Sequence, residues 1–130
     1  MRLLLDTQIA IWAVAGEPRL RADARALIET RANAVWVSTV SLWEIAIKYP
    51  LAKRFGAPPF SASEALAAFR EAGFDLLDVA VPHAMTFETL QLKHGDPFDR
   101  MLLAQAVCEG MRFMTADRAM SDAHPAVYAV

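Results

Sequence analysis

Short apolar runs alternate with amphipathic stretches along the whole chain, and that alternation marks out the elements. Leu3-Leu4-Leu5 is continuously apolar after one basic residue, as expected of a strand buried on both faces, so a strand is predicted over residues 2–6. A helix follows over 7–15, closed by Gly16 and Pro18. Residues 22–31 carry Ala24, Leu27 and Ile28 at helical spacing, with charges on the opposite face. Asn33-Ala34 turns into a strand at 35–38, and a helix runs from 39 to 49, where Pro50 stops it. Residues 50–60 hold three prolines and one glycine and read as a loop. Ser61 and Glu64 have capping-box spacing, so a helix is expected to about residue 72, with Gly73 as its stop. A strand over 74–81 comes next, then a helix from Pro82 to about residue 90. Asp96-Pro97 opens a helix that Gly110 ends. The chain closes with a strand over 112–116, a short helical turn after Asp117, and an edge strand over 126–130.

This order implies an α/β protein: a parallel sheet with helices on both faces. In such sheets ligands sit beyond the carboxyl ends of the strands. The chain has no repeat and no low-complexity tract, and its 130 residues suit a single domain spanning 1–130.

Composition adjusts the picture in three ways. Hydrophobic residues make up 55% and mean hydropathy is +0.25, which predicts an apolar face covered by a partner. Net charge is −2, so any nucleic-acid contact must be local rather than a global basic field. Cys108 is the one cysteine, which excludes an intrachain disulfide and fits a reducing, cytoplasmic setting; its helical context predicts a buried, inert thiol. Arg2, the apolar stretch after it and Ala13-Val14-Ala15 have the outline of a signal peptide. Asp6 and Gln8 interrupt that outline, however, and Glu17 and Arg19 follow at once, so cleavage is not expected. No uncharged apolar run reaches the ~18 residues of a membrane span.

Five carboxylates fall where this fold collects ligands. Asp6 and Asp117 directly follow apolar runs, Glu44 lies in the helix after the second strand, and Asp96 and Asp99 open a later helix. Each has a plain reading. Asp6, Asp96 and Asp117 suit helix caps, Asp99 suits the dipole of a first turn, and Glu44 has Lys48 at i+4. Against those readings, Glu44 is flanked almost wholly by apolar residues, so little of its helix should be wet. Asp99 heads the packing stripe Leu102, Leu103 and Ala106, which ranks it above Asp96 as a site residue. Acids held at buried strand ends are costly without a cation, so a divalent metal site follows. Oxygen donors suit Mg²⁺ or Mn²⁺; His83, His94 and His124 show no ligand spacing, and nothing suits zinc. No glycine-rich phosphate loop is present. Lys48, Lys53, Arg54 and Arg100 are candidates for phosphate contact from the rim. Together these parts support metal-dependent phosphoester cleavage without naming a substrate.

The segments LLLDTQIAIW, VSTVSLWEIAIK, HGDPFDRMLLAQA and MTAD resemble, in order and spacing, the motifs of the PIN-domain family, and within it the VapC-type toxins of bacterial toxin–antitoxin pairs. The resemblance runs from Leu3 to about Arg118. It implies a three-layer α/β/α fold with a central, mostly parallel five-stranded sheet, and a Mg²⁺- or Mn²⁺-dependent endoribonuclease acting on RNA. It assigns the metal-binding acids to Asp6, Glu44, Asp99 and Asp117, and a nearby hydroxyl to Thr115. Asp96 becomes a candidate for the outer shell, and of the rim cations named above Lys48 and Arg100 are the candidate RNA contacts. It also implies a homodimer silenced by a cognate antitoxin whose tail enters the active-site groove. Two departures touch substrate contacts: Gln8 stands where members of this subgroup often have histidine, and the loop over 49–60 differs from their short basic, glycine-containing stretch. A haloacid-dehalogenase-like phosphatase would need a second acid where Gln8 stands, and a receiver domain would need an acidic pair and a later lysine that are not evident. A PIN-like nuclease outside a toxin–antitoxin pair is an alternative, as is a non-catalytic PIN-like binding module. Five retained acids count against the module, because a metal-free protein would be more stable without them.

Overall fold

The computed structural model describes residues 1–51, 56–93 and 95–130; Lys53, Arg54 and His94, singled out above, lie outside the described residues. Leu3, Leu4 and Leu5 are wholly buried because β1 (Arg2–Leu5) is the middle strand of a five-stranded sheet. β1 pairs in parallel with β2 (Ala34–Ser38) on one side and β4 (Arg112–Thr115) on the other. β3 (Asp75–Leu77) and β5 (Val127–Ala129) form the edges, giving the all-parallel order β3-β2-β1-β4-β5. Among the described residues six helices connect the strands: α1 (Thr7–Ala15), α2 (Ala22–Glu29), α3 (Thr39–Lys48), α4 (Ala62–Glu71), α5 (Val81–Thr89) and α6 (Pro97–Glu109). Short 3₁₀ turns lie at Tyr49–Leu51 and Arg118–Met120.

The pleat of β1 divides the core in two. Leu3 and Leu5 pack with Ile9, Ala24, Phe69 and Met114 on the face covered by α1, α2 and α4. Leu4 packs with Leu102, Leu103, Ala106 and Phe113 on the face covered by α6, against which α5 lies. The result is the expected three-layer α/β/α arrangement. α3 contributes Ile45 to the first core and Val40 to the second, so it straddles the end of the sheet. Ser38 caps α3, and its hydroxyl also donates to Gln105 Oε1 at 2.5 Å, which ties α6 to the end of β2.

The chain runs β1, β2, β3 toward one edge and then returns to place β4 and β5 on the other side of β1. The switch point therefore lies between the carboxyl ends of β1 and β4, where open parallel sheets leave a crevice.

Four expectations change in detail. The strand predicted over 74–81 shrinks to Asp75–Leu77, because an edge strand lasts only as far as its one neighbour, β2, pairs with it. The second and third helices end at Glu29 and Lys48, and Pro50 falls within a 3₁₀ turn rather than immediately after α3. Cys108 is exposed, not buried: two residues past Ala106 it turns to the outer face of α6. The helix carrying Glu44 is wetter than its composition suggests, with Trp43 61% and Ile47 45% exposed. Val79, Val81 and Met85 are also exposed, so much of the apolar excess lies on the outer surface. Among the described residues no helix is long and apolar enough to cross a membrane.

Candidate active site

Asp6 follows β1 directly and caps α1, its Oδ1 accepting the Ile9 N–H at 2.7 Å. Its Oδ2 accepts the Thr115 hydroxyl at 2.5 Å and the Ala116 N–H at 3.3 Å. The carboxyl is nonetheless buried, and its pKa is raised from 3.8 to about 6. Desolvation is the main cause, the neighbouring Glu44 charge adds to it, and the three hydrogen bonds oppose it. Thr115 also accepts the Asp117 N–H at 3.0 Å, so one hydroxyl links Asp6 to the backbone of Asp117. The Asp117 side chain accepts the Ala119 N–H and caps the turn that follows β4.

Glu44 reaches the same crevice from α3 and is buried, its side chain 10% exposed. Both carboxylate oxygens are engaged. Oε1 accepts the Thr7 hydroxyl at 2.6 Å, and Oε2 takes the Lys48 ammonium at 2.5 Å. Ser41, buried one turn before Glu44, lies 2.9 Å from Thr7 Oγ1. Thr7 and Ser41 are the residues that sequence reasoning missed as supports of the site. The available signal was a hydroxyl directly after Asp6 and another three residues before Glu44 on the same helical face.

Asp96 is the N-cap of α6, accepting the Phe98 N–H at 2.8 Å and the Asp99 N–H at 3.3 Å. With Pro97 at the first helical position, Asp99 falls in the first turn. Asp6, Glu44, Asp96, Asp99 and Asp117 all line one cleft of about 300 Å³, together with Thr7, Gln8, Gly56 and Pro58. Lys48 is its one basic side chain among the described residues. The fold thus brings together the four acids proposed as metal-binding residues, with Asp96 beside them. Arg100 is not among the cleft residues; its guanidinium stacks 4.5 Å from the centroid of Phe87 on α5.

The cleft is not a closed cage. Among the described residues, His83, Cys108 and Glu109 alone bring three candidate ligand atoms within 4.8 Å of one another. That group lies at the far end of α6, about 15 Å along the helix from Asp99. Its geometry suits a structural bridge. His83 Nδ1 accepts the Ala80 N–H at 2.9 Å, which leaves the ring proton on Nε2 facing Glu109 Oε1 at 2.8 Å. Both ring nitrogens are therefore committed: Nδ1 closes the N-terminus of α5, and Nε2 joins α5 to α6. The cleft acids instead face one open cavity, and their hard oxygen donors suit Mg²⁺ or Mn²⁺.

A family model for the PIN domain matches residues 3–124. Among curated proteins, no sequence relative matches. The fold is shared with solved structures of three complexes. VapBC2 from Rickettsia felis bound to a DNA fragment from their promoter has a TM-score of 0.69 at 17% identity, covering 100% of this chain and 98% of that one. A toxin–antitoxin complex from Klebsiella pneumoniae has a TM-score of 0.66 at 20% identity, covering 98% and 99%. DNA-bound VapBC from Salmonella typhimurium has a TM-score of 0.66 at 19% identity, covering 100% and 97%. At these identities the likeness establishes the fold.

Proposed function

The chain belongs to the PIN-domain family, and on that footing we propose that it is a divalent-metal-dependent endoribonuclease, the toxin of a toxin–antitoxin pair. One observation carries the reading. Acids from four separate places in the chain, Asp6, Glu44, Asp99 and Asp117, converge on one cleft at the switch point of the sheet. Like charges so placed repel one another and gain from a cation; at Asp6 the Glu44 charge adds to the desolvation that chiefly raises its pKa.

Mg²⁺ or Mn²⁺ bound there supplies charge neutralisation at the scissile phosphate and makes the attacking water more acidic. The protein's part is to hold the acids. Thr115 and the Ile9 and Ala116 amides fix the orientation of Asp6, and Thr7 fixes one oxygen of Glu44. The N-cap at Asp96 starts α6 and sets Asp99 in its first turn. Lys48 lies in the cleft, where it can meet an RNA phosphate.

Support for the toxin role comes from the fold neighbours, which are toxin–antitoxin complexes. The antitoxin of this chain would act by covering the acidic cleft. An apolar groove of about 480 Å³ between α3, α5 and α6, lined by Val40, Trp43, Val79, Phe87, Phe98 and Met101, supports a homodimer.

The test is to incubate the purified protein with single-stranded RNA, structured RNA and single-stranded DNA, each with Mg²⁺, Mn²⁺ or EDTA. Internal RNA cleavage that needs the metal is the expected result. No cleavage of any RNA, with no divalent ion bound, would support a PIN-like binding module instead.

A further inference from the structure

The Lys48 ammonium sits where a cation serving Glu44 would sit. It lies 2.5 Å from Glu44 Oε2, while Thr7 holds Oε1, so no oxygen of this carboxylate is uncommitted. The cleft acids do not close to a common coordination distance. Lys48 is also the one basic side chain lining the cleft among the described residues, set against five acids.

Resting on the metal-dependent reading above, we propose that Lys48 is a positioning residue that competes with the divalent ion for Glu44. In the metal-free protein it neutralises Glu44 and keeps it turned toward α3. Glu44 would have to give up the Lys48 ammonium to join the other acids in holding a divalent ion, whose double charge would favour the exchange.

One contact of the ammonium does not depend on Glu44. Lys48 Nζ already lies 5.6 Å from the centroid of Phe98, beside Asp99 at the start of α6. Phe98 is itself braced edge-on by Trp43, with 5.3 Å between ring centroids. The Lys48 side chain is 43% exposed, which leaves it room to swing outward while its stem stays on the rim. The cation–π contact with Phe98, made in the same conformer as the ion pair, is one that the side chain can keep when the pair is broken.

This arrangement has a consequence opposite to that of an ordinary structural lysine. Removing Lys48 should weaken the metal-free fold, because Glu44 loses its ion-pair partner, and should strengthen metal binding, because the competitor is gone.

The experiment is isothermal titration of Mn²⁺ into EDTA-stripped, dialysed protein at fixed ionic strength, for wild type, Lys48→Met, Lys48→Arg, Glu44→Gln and Lys48→Met/Glu44→Gln. Thermal melts are taken of the same samples. Lys48→Met is expected to bind Mn²⁺ roughly threefold to tenfold more tightly than wild type and to melt lower in EDTA. Lys48→Arg, which keeps the charge, should bind close to wild type. In the Glu44→Gln background the Lys48→Met change should no longer alter affinity. Equal or weaker Mn²⁺ binding by Lys48→Met, with wild type binding normally, would overturn the competition and leave the nuclease reading intact. If wild type binds no Mn²⁺, both fall.

Discussion

Asp6 is fixed by three hydrogen bonds, and still its carboxyl titrates near pH 6 because burial costs the charged form more than those bonds return. The sign of the resulting pH dependence follows by linkage. A folded-state pKa raised from 3.8 to about 6 stabilises the protein fully below pH 3.8, and that contribution is lost as the pH rises through 6. The whole effect is roughly 3 kcal/mol, of which about 1 kcal/mol falls between pH 5 and pH 7. Metal-free protein should therefore be more stable near pH 5 than near pH 7. An Asp6→Asn variant should lack that part of the slope, and urea titrations in EDTA at the two pH values check it. At this scale the acids themselves were legible, since charge at the end of an apolar run is visible in one dimension. Thr7 and Ser41 were not. The hydroxyls are visible in the sequence, but their value comes from α1 and α3 meeting side by side, through contacts between residues 34 and 37 apart. Arg100, a candidate for phosphate contact from the rim, lies with its guanidinium over Phe87, a placement that sequence spacing does not encode.

Helices were readable where a cap marks them. Asp6 opens α1 and Gly16, at φ 64°, closes it; Ser61 and Glu64 form the expected capping box of α4; Asp96 and Pro97 open α6. Edge strands carry no such mark, so the span 74–81 was read too long. The outer faces of α3 and α6 were also misread, because apolar Trp43 and Ile47 and thiol-bearing Cys108 look like core residues until the packing is known. Capping also divides structural from functional roles. Ser61→Ala and Asp96→Ala should each cost about 1 kcal/mol of stability through a lost N-cap. Only Asp96→Ala should also weaken Mn²⁺ binding, because Asp96 lines the cleft and starts the helix that holds Asp99, whereas Ser61 is not among the residues lining that cleft. Denaturant melts paired with Mn²⁺ titration separate the two. Equal Mn²⁺ affinity in both variants would reduce Asp96 to a cap.

For the whole molecule, the alternation of elements was enough to predict a parallel sheet between helices, but not its strand order. That β4 returns to lie beside β1, and so places Asp117 opposite Asp6, depends on long-range pairing. The high apolar content pointed to a covered face, and the structure puts the exposed apolar residues on α3 and around the start of α5. If that face joins two copies, Trp43→Glu should convert a dimer into a monomer in light scattering. A variant that stays dimeric would place the interface elsewhere. The central claim is that the converging acids hold a divalent ion for RNA cleavage. Its most direct test is to titrate Mn²⁺ into EDTA-stripped protein while following cleavage of an end-labelled RNA, in wild type, Asp6→Ala and Asp99→Ala. Cleavage should rise with Mn²⁺ occupancy in wild type and fall by about 100-fold or more in both variants. Cleavage that persists in EDTA, or that survives unchanged in both variants, would contradict it.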